Sequence, residues 1–386
     1  MDFGLNEEQR AYMAAARAFA DKALAPHAAG WDETAHFPVD VLKKAGEQGY
    51  LGLYVPEQWG GMGLGRLDSS LILEELCRGC TSTTAYMTIH NMATWMIASY
   101  GSDALRNTWC PRLVTGELLA SYCLTEPNAG SDAANLRTSA RREGDHFVLN
   151  GSKVFISGAG STDVLVLMAR TGGEGSKGIS SFLVPATTPG ISYGRKEQKM
   201  GWNSQPTRAV ILEDVRVPAS HLIGAEGEGF KIAMKGLDGG RINIATCSLG
   251  TAQAALEQAH RYLNTREQFG HTLGSFQALQ FKLADMVTEL VAARQMVHLA
   301  AWKLDQQDAD ATTYSAMAKR FATDVGFNVC NEALQIHGGY GYIREYPLER
   351  YLRDSRVHQI LEGTNEIMRV IIARRMLLEG ALDVIR

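Results

Sequence analysis

The sequence is poor in cysteine, and its cysteines are not spaced for a metal site. Only six of the 386 residues are cysteine, and Cys77 and Cys80 form a C-x-x-C that has no second pair to complete a zinc site. The ten histidines show no H-E-x-x-H or other close metal-binding spacing. We therefore expect no bound metal and no structural disulfide, as is typical of a compartment in which thiols stay reduced.

Long hydrophobic runs are also lacking. None reaches the roughly 18 apolar residues of a membrane span, and the start, Met1 to Gly4, lacks the basic residues of a signal or transit peptide. The net charge of −4 and the pI of about 6.2 provide no general attraction to nucleic acid. We expect no membrane or nucleic-acid partner, and a location in the bacterial cytoplasm, or in the mitochondrial matrix if the chain is a processed eukaryotic one.

The glycines form no recognised nucleotide-binding loop. The chain has neither G-x-G-x-x-G between a strand and a helix nor a P-loop, so neither a dinucleotide-binding Rossmann fold nor a nucleotide hydrolase is supported. Any nucleotide cofactor must therefore be held in another way.

The sequence does contain helical, then β-prone, then helical segments. Helical periodicity begins after Asn6, which can form a capping box with Gln9, and it stops at Pro26. Further helical patterns cover 39–48, 68–77 and 84–100, and later 249–266, 277–306, 311–337 and 365–378. We predict a helical domain at 1–117, a β domain at 118–225 and a helical bundle at 226–386.

Within the β region, Asn150-Gly151 separates two β-prone runs. Asn-Gly is the strongest short-range signal of a two-residue hairpin turn, so we predict a hairpin over 146–156. Other strands are expected at 164–168, 179–184 and 209–212, and the stretch 171–178, rich in glycine and charge, is expected to be an exposed turn.

Glu362 is the most informative single residue. It follows the apolar pair Ile360 and Leu361 and precedes Gly363 and Thr364, where a helix start is predicted. Apolar neighbours raise the pKa of a carboxyl group, and a general base works best when its pKa lies near the operating pH. Glu362 is therefore a candidate general base, and the alternative for this residue alone is an ordinary surface glutamate near a helix end.

Five sequence stretches occur in the same order as similar stretches in a known protein family. They are YCLTEPNAGSD (122–132), NGSKVFISG (150–158), REQFG (266–270), QIHGGYGY (335–342) and RDSRVHQILEGTNEIM (353–368). In this order they resemble the acyl-CoA dehydrogenase family over nearly the whole chain. The resemblance implies an α+β fold with an N-terminal α domain, a central β domain and a C-terminal four-helix bundle. It also implies an FAD-dependent oxidoreductase acting on CH–CH groups, assembled as a homotetramer.

The resemblance further implies where FAD binds. The flavin ring is expected near Tyr122, Leu124, Thr125, Phe155, Ile156 and Ser157, with Phe155 at a position that tryptophan often fills in the family. Gly130 and Ser131 are also expected to bind the cofactor, and Ser131 contacts either the cofactor or the CoA moiety. The adenine and pyrophosphate end is expected near Arg266, Gln268, Phe269 and Gln277 of a neighbouring subunit, and near Gln335, Gly338 and Gly339. Thr364 and Glu366 match positions that also touch FAD.

By the same resemblance, Glu362 matches the catalytic base of the family. Some members carry this base at the position of Gly240 instead, which has no carboxylate here. Ser131, Asp238 and Arg241 match positions on the substrate side. The implied reaction removes the α-proton of an acyl-CoA thioester while the flavin accepts hydride from the β-carbon, and electrons then pass to an electron-transfer flavoprotein.

Four stretches, 80–92, 201–210, 239–250 and 355–366, are most similar to family members that oxidise isobutyryl-CoA to methacrylyl-CoA in valine catabolism. A short straight-chain acyl-CoA or 2-methylbutyryl-CoA is the alternative substrate. An acyl-CoA oxidase and a non-catalytic binding member of the fold are the alternative classes. The retained Glu362 and the pI of about 6.2 argue against the non-catalytic class.

Overall fold

A computed structural model describes residues 4–384 and places helical, β and helical parts in the predicted order. The N-terminal part consists of α1 (Glu7–Phe19), α2 (Ala28–Thr34), α3 (Val39–Glu47), α4 (Arg66–Gly79), α5 (Thr81–Tyr100) and α6 (Asp103–Val114). A π-helical turn, Ala20–Leu24, extends α1 towards Pro26.

Local sequence explains where α1 begins. The capping box predicted before α1 is confirmed, because Asn6 Oδ1 accepts from the Gln9 N–H at 2.8 Å and Gln9 Oε1 accepts from the Asn6 N–H at 3.1 Å.

Helices α2 and α6 were not predicted from the sequence. Pro111 lies inside α6, and a proline in a helical pattern is ordinarily read as a break.

The central part is an eight-stranded sheet. Its strands are β1 (Ala120–Cys123), β2 (Ser139–Glu143), β3 (His146–Ser157), β4 (Val164–Arg170), β5 (Ile179–Pro185), β6 (Ile191–Tyr193), β7 (Thr207–Pro218) and β8 (Leu222–Ile223). Their order is β6-β7-β3-β2-β4-β5-β8, and β1 pairs with β4 in parallel. Side chains of β4 alternate between the core shared with α5 and α6 and a second core within the β part.

The hairpin predicted at Asn150-Gly151 is wrong. Strand β3 runs through both residues and pairs with β7, with a register shift between Leu149 and Gly151. Asn150 bonds instead to Asp214, donating to Oδ1 at 3.0 Å and accepting from the backbone N–H at 2.9 Å. Gly151 has φ +146°, and a Cβ there would come within 2.6 Å of Thr138 Oγ1. The pair thus forms a bulge, because pairing with a distant strand outweighs the local turn preference.

The C-terminal part is helical and contains α7 (Gly229–Thr265), α8 (Gln277–Asp305), α9 (Ala311–His337), α10 (Gly339–Tyr342), α11 (Leu348–Arg356) and α12 (Asn365–Met376). A short ladder of β9 (Glu267–Gln268) and β10 (His271–Thr272) separates α7 from α8. Helix α9 packs against α7, α8 and α12, which completes the predicted bundle.

Helix α7 connects the helical parts of the molecule. Its 37 residues pack against α4 and α5 on one side and α8 and α9 on the other. The helical pattern predicted at 249–266 covers only the later part of this helix, which begins at Gly229. The glycine-rich stretch 236–240 weakens helix propensity but permits close packing: a Cβ on Gly236 would lie 2.0 Å from Met96 Cε.

All six cysteines are buried and unpaired. Across residues 4–384, every helix is either too short or too polar to cross a membrane.

Candidate active site

Glu362 lies in the short connection between the turn Val357–Gln359 and α12. Glu362 and Gly363 both adopt left-handed backbone, with φ +55° and +90°. The helix start predicted after them is confirmed, because Thr364 Oγ1 accepts from the Ile367 N–H at 3.2 Å. A non-glycine residue in this conformation is strained, so the surrounding contacts must hold the segment in place.

The Glu362 carboxylate points at α7. A Cβ added to Gly240 would lie 2.5 Å from Glu362 Oε2 and 3.2 Å from Met92 Sδ of α5. Oε2 is shielded from solvent and has no hydrogen-bond partner among the described residues. The absence of a side chain at Gly240 therefore makes the room that this carboxylate occupies.

Burial raises the pKa of Glu362 from 4.5 to about 7, against the opposing effect of the Arg241 and Lys319 charges. Burial penalises the charged carboxylate, and the nearby cations return only part of that cost. The predicted direction of this shift is thus found in the structure. A carboxyl group with this pKa is present in both its protonated and its ionised form at neutral pH.

Lys319 of α9 is fully buried beside the same segment. Its Nζ donates to the Gly363 carbonyl at 2.8 Å and to Asn365 Oδ1 at 2.9 Å. Burial lowers its pKa to about 7, although the Glu362 carboxylate favours its charged form. Sequence analysis missed this residue. It could have been noticed as a lysine that lies between Ala316 and Ala322 on the apolar face of a helix, where a charged side chain is unusual.

The predicted substrate-side residues Asp238 and Arg241 form a buried ion pair on α7. Arg241 Nη1 lies 2.8 Å from Asp238 Oδ1, and Thr312 donates to the other carboxylate oxygen at 2.8 Å. Arg241 Nε has no partner among the described residues. The pair places a cation next to Gly240, on the helix that faces Glu362.

Arg66 of α4 was also missed, and no sequence pattern indicated it. Its guanidinium lies 3.5 Å from the centroid of the Tyr54 ring. A Cβ on Gly239 would approach Arg66 Nη1 to 2.3 Å, and this buried nitrogen has no partner among the described residues. Tyr54 in turn accepts a hydrogen bond from Asn243 at 3.2 Å. Arg66 therefore adds a second buried cation near the Gly239-Gly240 step.

The residues predicted for the flavin ring come together around β1 and β3. The Val154 N–H donates to the Thr125 carbonyl at 2.9 Å, which brings Phe155 beside the chain that follows β1. Phe155 is 69% exposed and has φ +58°, while Tyr122 has a buried hydroxyl without a partner in the described chain. The side chains of Leu124 and Ile156 are buried, so only their backbone atoms remain available. Ser157, half-buried, and Gly130 and Ser131, in an exposed turn, complete this group.

The residues predicted for the other end of FAD form a separate group. Arg266 and the exposed Phe269 belong to the connection after α7, and the Arg266 guanidinium lies 5.5 Å from the Tyr340 ring centroid. Gly338, with φ +57°, has open space where a Cβ would lie, and so does Gly339. The cavity beside them measures about 360 Å³ and is lined by Gln258, Arg261, Tyr262, Thr265, Arg266, His337, Tyr340 and Tyr346. Gln268, Gln277 and Gln335 are exposed.

The separation of the two groups follows from helix geometry. Gly240 and Thr265 lie on the same continuous helix, and 25 residues at a rise of about 1.5 Å put them roughly 38 Å apart. Thr364 and Glu366 lie at the start of α12, Thr364 as its cap and Glu366 exposed. Among the described residues, no three His, Cys, Asp or Glu side chains are grouped so as to hold a metal ion.

Known protein-family models match nearly the whole chain. The N-terminal, middle and C-terminal domain models of acyl-CoA dehydrogenase match residues 6–117, 121–215 and 227–377. The chain belongs to the acyl-CoA dehydrogenase family. The predicted family is thereby confirmed, as is the oxidoreductase class.

Individual relatives of this acyl-CoA dehydrogenase agree with the assignment. The mitochondrial isobutyryl-CoA dehydrogenase of Bos taurus is 56% identical over 376 residues, covering 97% of the chain and 90% of the relative. That of Dictyostelium discoideum is 53% identical over 374 residues, with the same coverage. Butyryl-CoA dehydrogenase from Megasphaera elsdenii superposes with a TM-score of 0.95 at 39% identity, over 98% of this chain and 100% of that one. The predicted fold is confirmed.

Proposed function

We propose that this acyl-CoA dehydrogenase oxidises isobutyryl-CoA to methacrylyl-CoA in valine catabolism, with FAD as cofactor and an electron-transfer flavoprotein as acceptor. The observation that carries the reaction is the Glu362 carboxylate, whose Oε2 is shielded from solvent against Gly240 and whose pKa is raised to about 7. The two isobutyryl-CoA dehydrogenases at 56% and 53% identity support the choice of substrate.

Glu362 acts as the base that removes the α-proton of the thioester. With a pKa of about 7, a substantial fraction is ionised at neutral pH, and the carboxylate remains basic enough to take a proton. Gly240 leaves the space for it, and Lys319 holds the following peptide through the Gly363 carbonyl. The strained segment is therefore positioned before substrate arrives.

The residues around β1 and β3 fit a flavin. Phe155 presents an exposed aromatic face from a strained position, and Tyr122 offers a buried hydroxyl that has no partner in the described protein. Thr125 and Ser157, which are half-buried, add hydroxyl groups for the polar edge of a ring. When bound, FAD would supply the acceptor for the hydride that leaves the β-carbon.

A second chain is proposed to complete the cofactor site. The Arg266 group lies roughly 38 Å along α7 from Gly240, so one chain does not bring it to the flavin ring. Arginine pairs well with phosphate oxygens, and backbone at Gly338 and Gly339 is open to close approach. Large apolar side chains are exposed in the connection after α7 and in α8, including Phe269 at 90% and Phe281 at 60%. Such exposure is typical of a subunit interface and supports the homotetramer.

A short straight-chain substrate is the second candidate, supported by the 39% identity to a butyryl-CoA dehydrogenase over 98% of this chain. The deciding experiment measures kcat/KM for isobutyryl-CoA, butyryl-CoA and 2-methylbutyryl-CoA with an artificial electron acceptor. We expect isobutyryl-CoA to be preferred over its isomer butyryl-CoA. If a well-placed methyl branch at the α-carbon is worth as much as one methyl group in an apolar pocket, the preference is roughly 10- to 200-fold. A higher value for butyryl-CoA would reject the isobutyryl assignment while leaving the dehydrogenase assignment intact. Rapid peroxide formation without an added acceptor would identify an oxidase instead.

A further inference from the structure

We propose that Trp202, fixed by His358, closes the far end of the acyl cleft and sets the chain length that this enzyme accepts. The inference rests on the proposed function, because it takes the acyl group to extend from Glu362 between α5 and α7. It concerns a residue of the β part, which the sequence motif around 201–210 contains but to which no role was assigned.

One face of α5 and one face of α7 extend away from Glu362. On α7, Gly240 contacts the Glu362 carboxylate, and Ile244 and Ser248 follow at successive spacings of four residues, so all three face the same side. On α5, Met92 lies beside Gly240, and Ile89 and Ala85 lie about one and two turns before it on the same side. The faces of α5 and α7 pack together.

Trp202 lies where these two faces meet the rest of the core. It belongs to a single apolar cluster with Ala85 of α5 and with Ile244 and Cys247 of α7. Ile89 packs against this cluster, as do Val357 and Leu361 from the segment that carries the base. The indole is 4% exposed. An aromatic side chain from a third part of the protein therefore fills the space between the two helices.

Hydrogen bonds from its backbone and from its indole ring hold Trp202 in position. Its backbone N–H donates to Asp354 Oδ1 at 2.6 Å, which holds the residue at φ +56°. Its indole N–H donates to His358 Nε2 at 3.2 Å, and His358 Nδ1 lies 2.7 Å from Ser248 Oγ. Since Nε2 is the acceptor, Nδ1 carries the proton and donates to Ser248. A strained residue with this many partners has a defined orientation, as a wall of a binding cleft requires.

The stretch of α7 between the base and the Trp202 cluster is short. Ile244, which contacts the Trp202 cluster, is one helical turn from Gly240, or roughly 6 Å at about 1.5 Å per residue. Each extended alkyl carbon adds a little less than one C–C bond of about 1.5 Å. Isobutyryl-CoA has one carbon in line beyond the α-carbon and fits, whereas an acyl chain of six or more carbons reaches the Trp202 ring.

The test compares Trp202→Leu and Trp202→Phe with the unmodified enzyme and with Asn203→Ala. Asn203 is the matched control, because it lies in the same loop and bonds to Asp32 at 2.9 Å, away from the cleft. Each protein is assayed as purified holoenzyme, and the readout is the ratio of kcat/KM for hexanoyl-CoA to that for butyryl-CoA. We expect Trp202→Leu to raise this ratio at least about 10-fold, Trp202→Phe about 3-fold, and Asn203→Ala not to change it.

An unchanged ratio in both tryptophan variants, or an equal rise in Asn203→Ala, would overturn the proposal. If Trp202→Leu does not fold, Trp202→Phe decides by the same ratio, because it keeps most of the ring volume. The choice of straight chains separates this result from the proposed function, which is tested by the isobutyryl-to-butyryl ratio of the unmodified enzyme. A preference for butyryl-CoA would therefore reject the substrate and leave the role of Trp202 to be decided by its own readout.

Discussion

Replacing Glu362 with glutamine is expected to abolish catalysis and, at alkaline pH, to make the folded protein more stable. One oxygen of this half-buried carboxylate, Oε2, is shielded from solvent, and burial raises its pKa to about 7. The amide keeps the shape but has neither the charge nor the basicity. Loss of a general base typically costs roughly 10²- to 10⁴-fold in rate, and no second carboxylate lies at Gly240 to substitute for it.

The size of the stability change follows from the pKa shift. A rise from 4.5 to about 7 corresponds to an upper limit of about 3 kcal/mol at about 1.4 kcal/mol per pKa unit. Because the folded pKa is raised, the wild type loses this stability as pH rises towards and through 7, and Glu362→Gln does not. This limit already includes the attraction of the Lys319 and Arg241 charges, because both contribute to the pKa of about 7. Below pH 4.5 the two proteins should be equally stable.

Thermal unfolding of both proteins at pH 4.5, 7 and 8.5 measures the effect, and anaerobic flavin bleaching by acyl-CoA measures catalysis. Glu174→Gln is the matched control, since Glu174 lies in an exposed turn. We expect an apparent Tm for Glu362→Gln that is a few degrees above the wild type at pH 8.5 and converges at low pH. Near-normal bleaching would refute the role of Glu362 as base. Equal Tm values at all pH values would refute the reasoning from burial.

Three further changes test the surroundings of the base. Lys319→Met removes a cation that lowers the pKa of Glu362, so the acidic limb of the pH–rate profile should move to higher pH, whereas a purely structural role would lower the rate and leave the limb in place. Gly240→Ala places a Cβ 2.5 Å from Oε2 and should lower kcat roughly 10- to 100-fold, while Gly173→Ala, which has open space, serves as control and should not. Arg266→Ala should reduce the fraction of purified protein that retains FAD without changing its unfolding temperature in the FAD-free form, and full FAD retention in a native monomer would contradict the shared site.

The long helices were the most predictable part of the fold. Helices α8 and α9 begin at Gln277 and Ala311, where the hydrophobic periodicity placed them, because an apolar stripe over many turns has one favourable arrangement. The clearest helical pattern within α7 began only at 249, and the conformation of Asn150-Gly151 was predicted wrongly. In both places packing against distant segments overrides the local preference of glycine.

The candidate site was only partly accessible from the sequence. Resemblance to the family supplied Glu362 and the cofactor residues, whose roles stay predictions. It did not supply Lys319, Arg66 or Trp202, which reach the site from α9, from α4 and from the β part. Their proximity depends on tertiary packing between segments far apart in the chain, and no spacing rule along one segment can encode it.

The unpaired polar atoms around Glu362 distinguish this region from an ordinary hydrophobic core and indicate a ligand-binding site. Oε2 of Glu362, the Tyr122 hydroxyl, Arg66 Nη1 and Arg241 Nε are all buried, and none has a hydrogen-bond partner within the described chain. Each buried polar group left unpaired costs about 1–3 kcal/mol, so a fold selected for stability alone would not gather them beside one carboxylate. A bound thioester and cofactor would offer polar atoms to these groups. The cost is then recovered on binding, which is how a site favours its ligand and keeps a base ready to react.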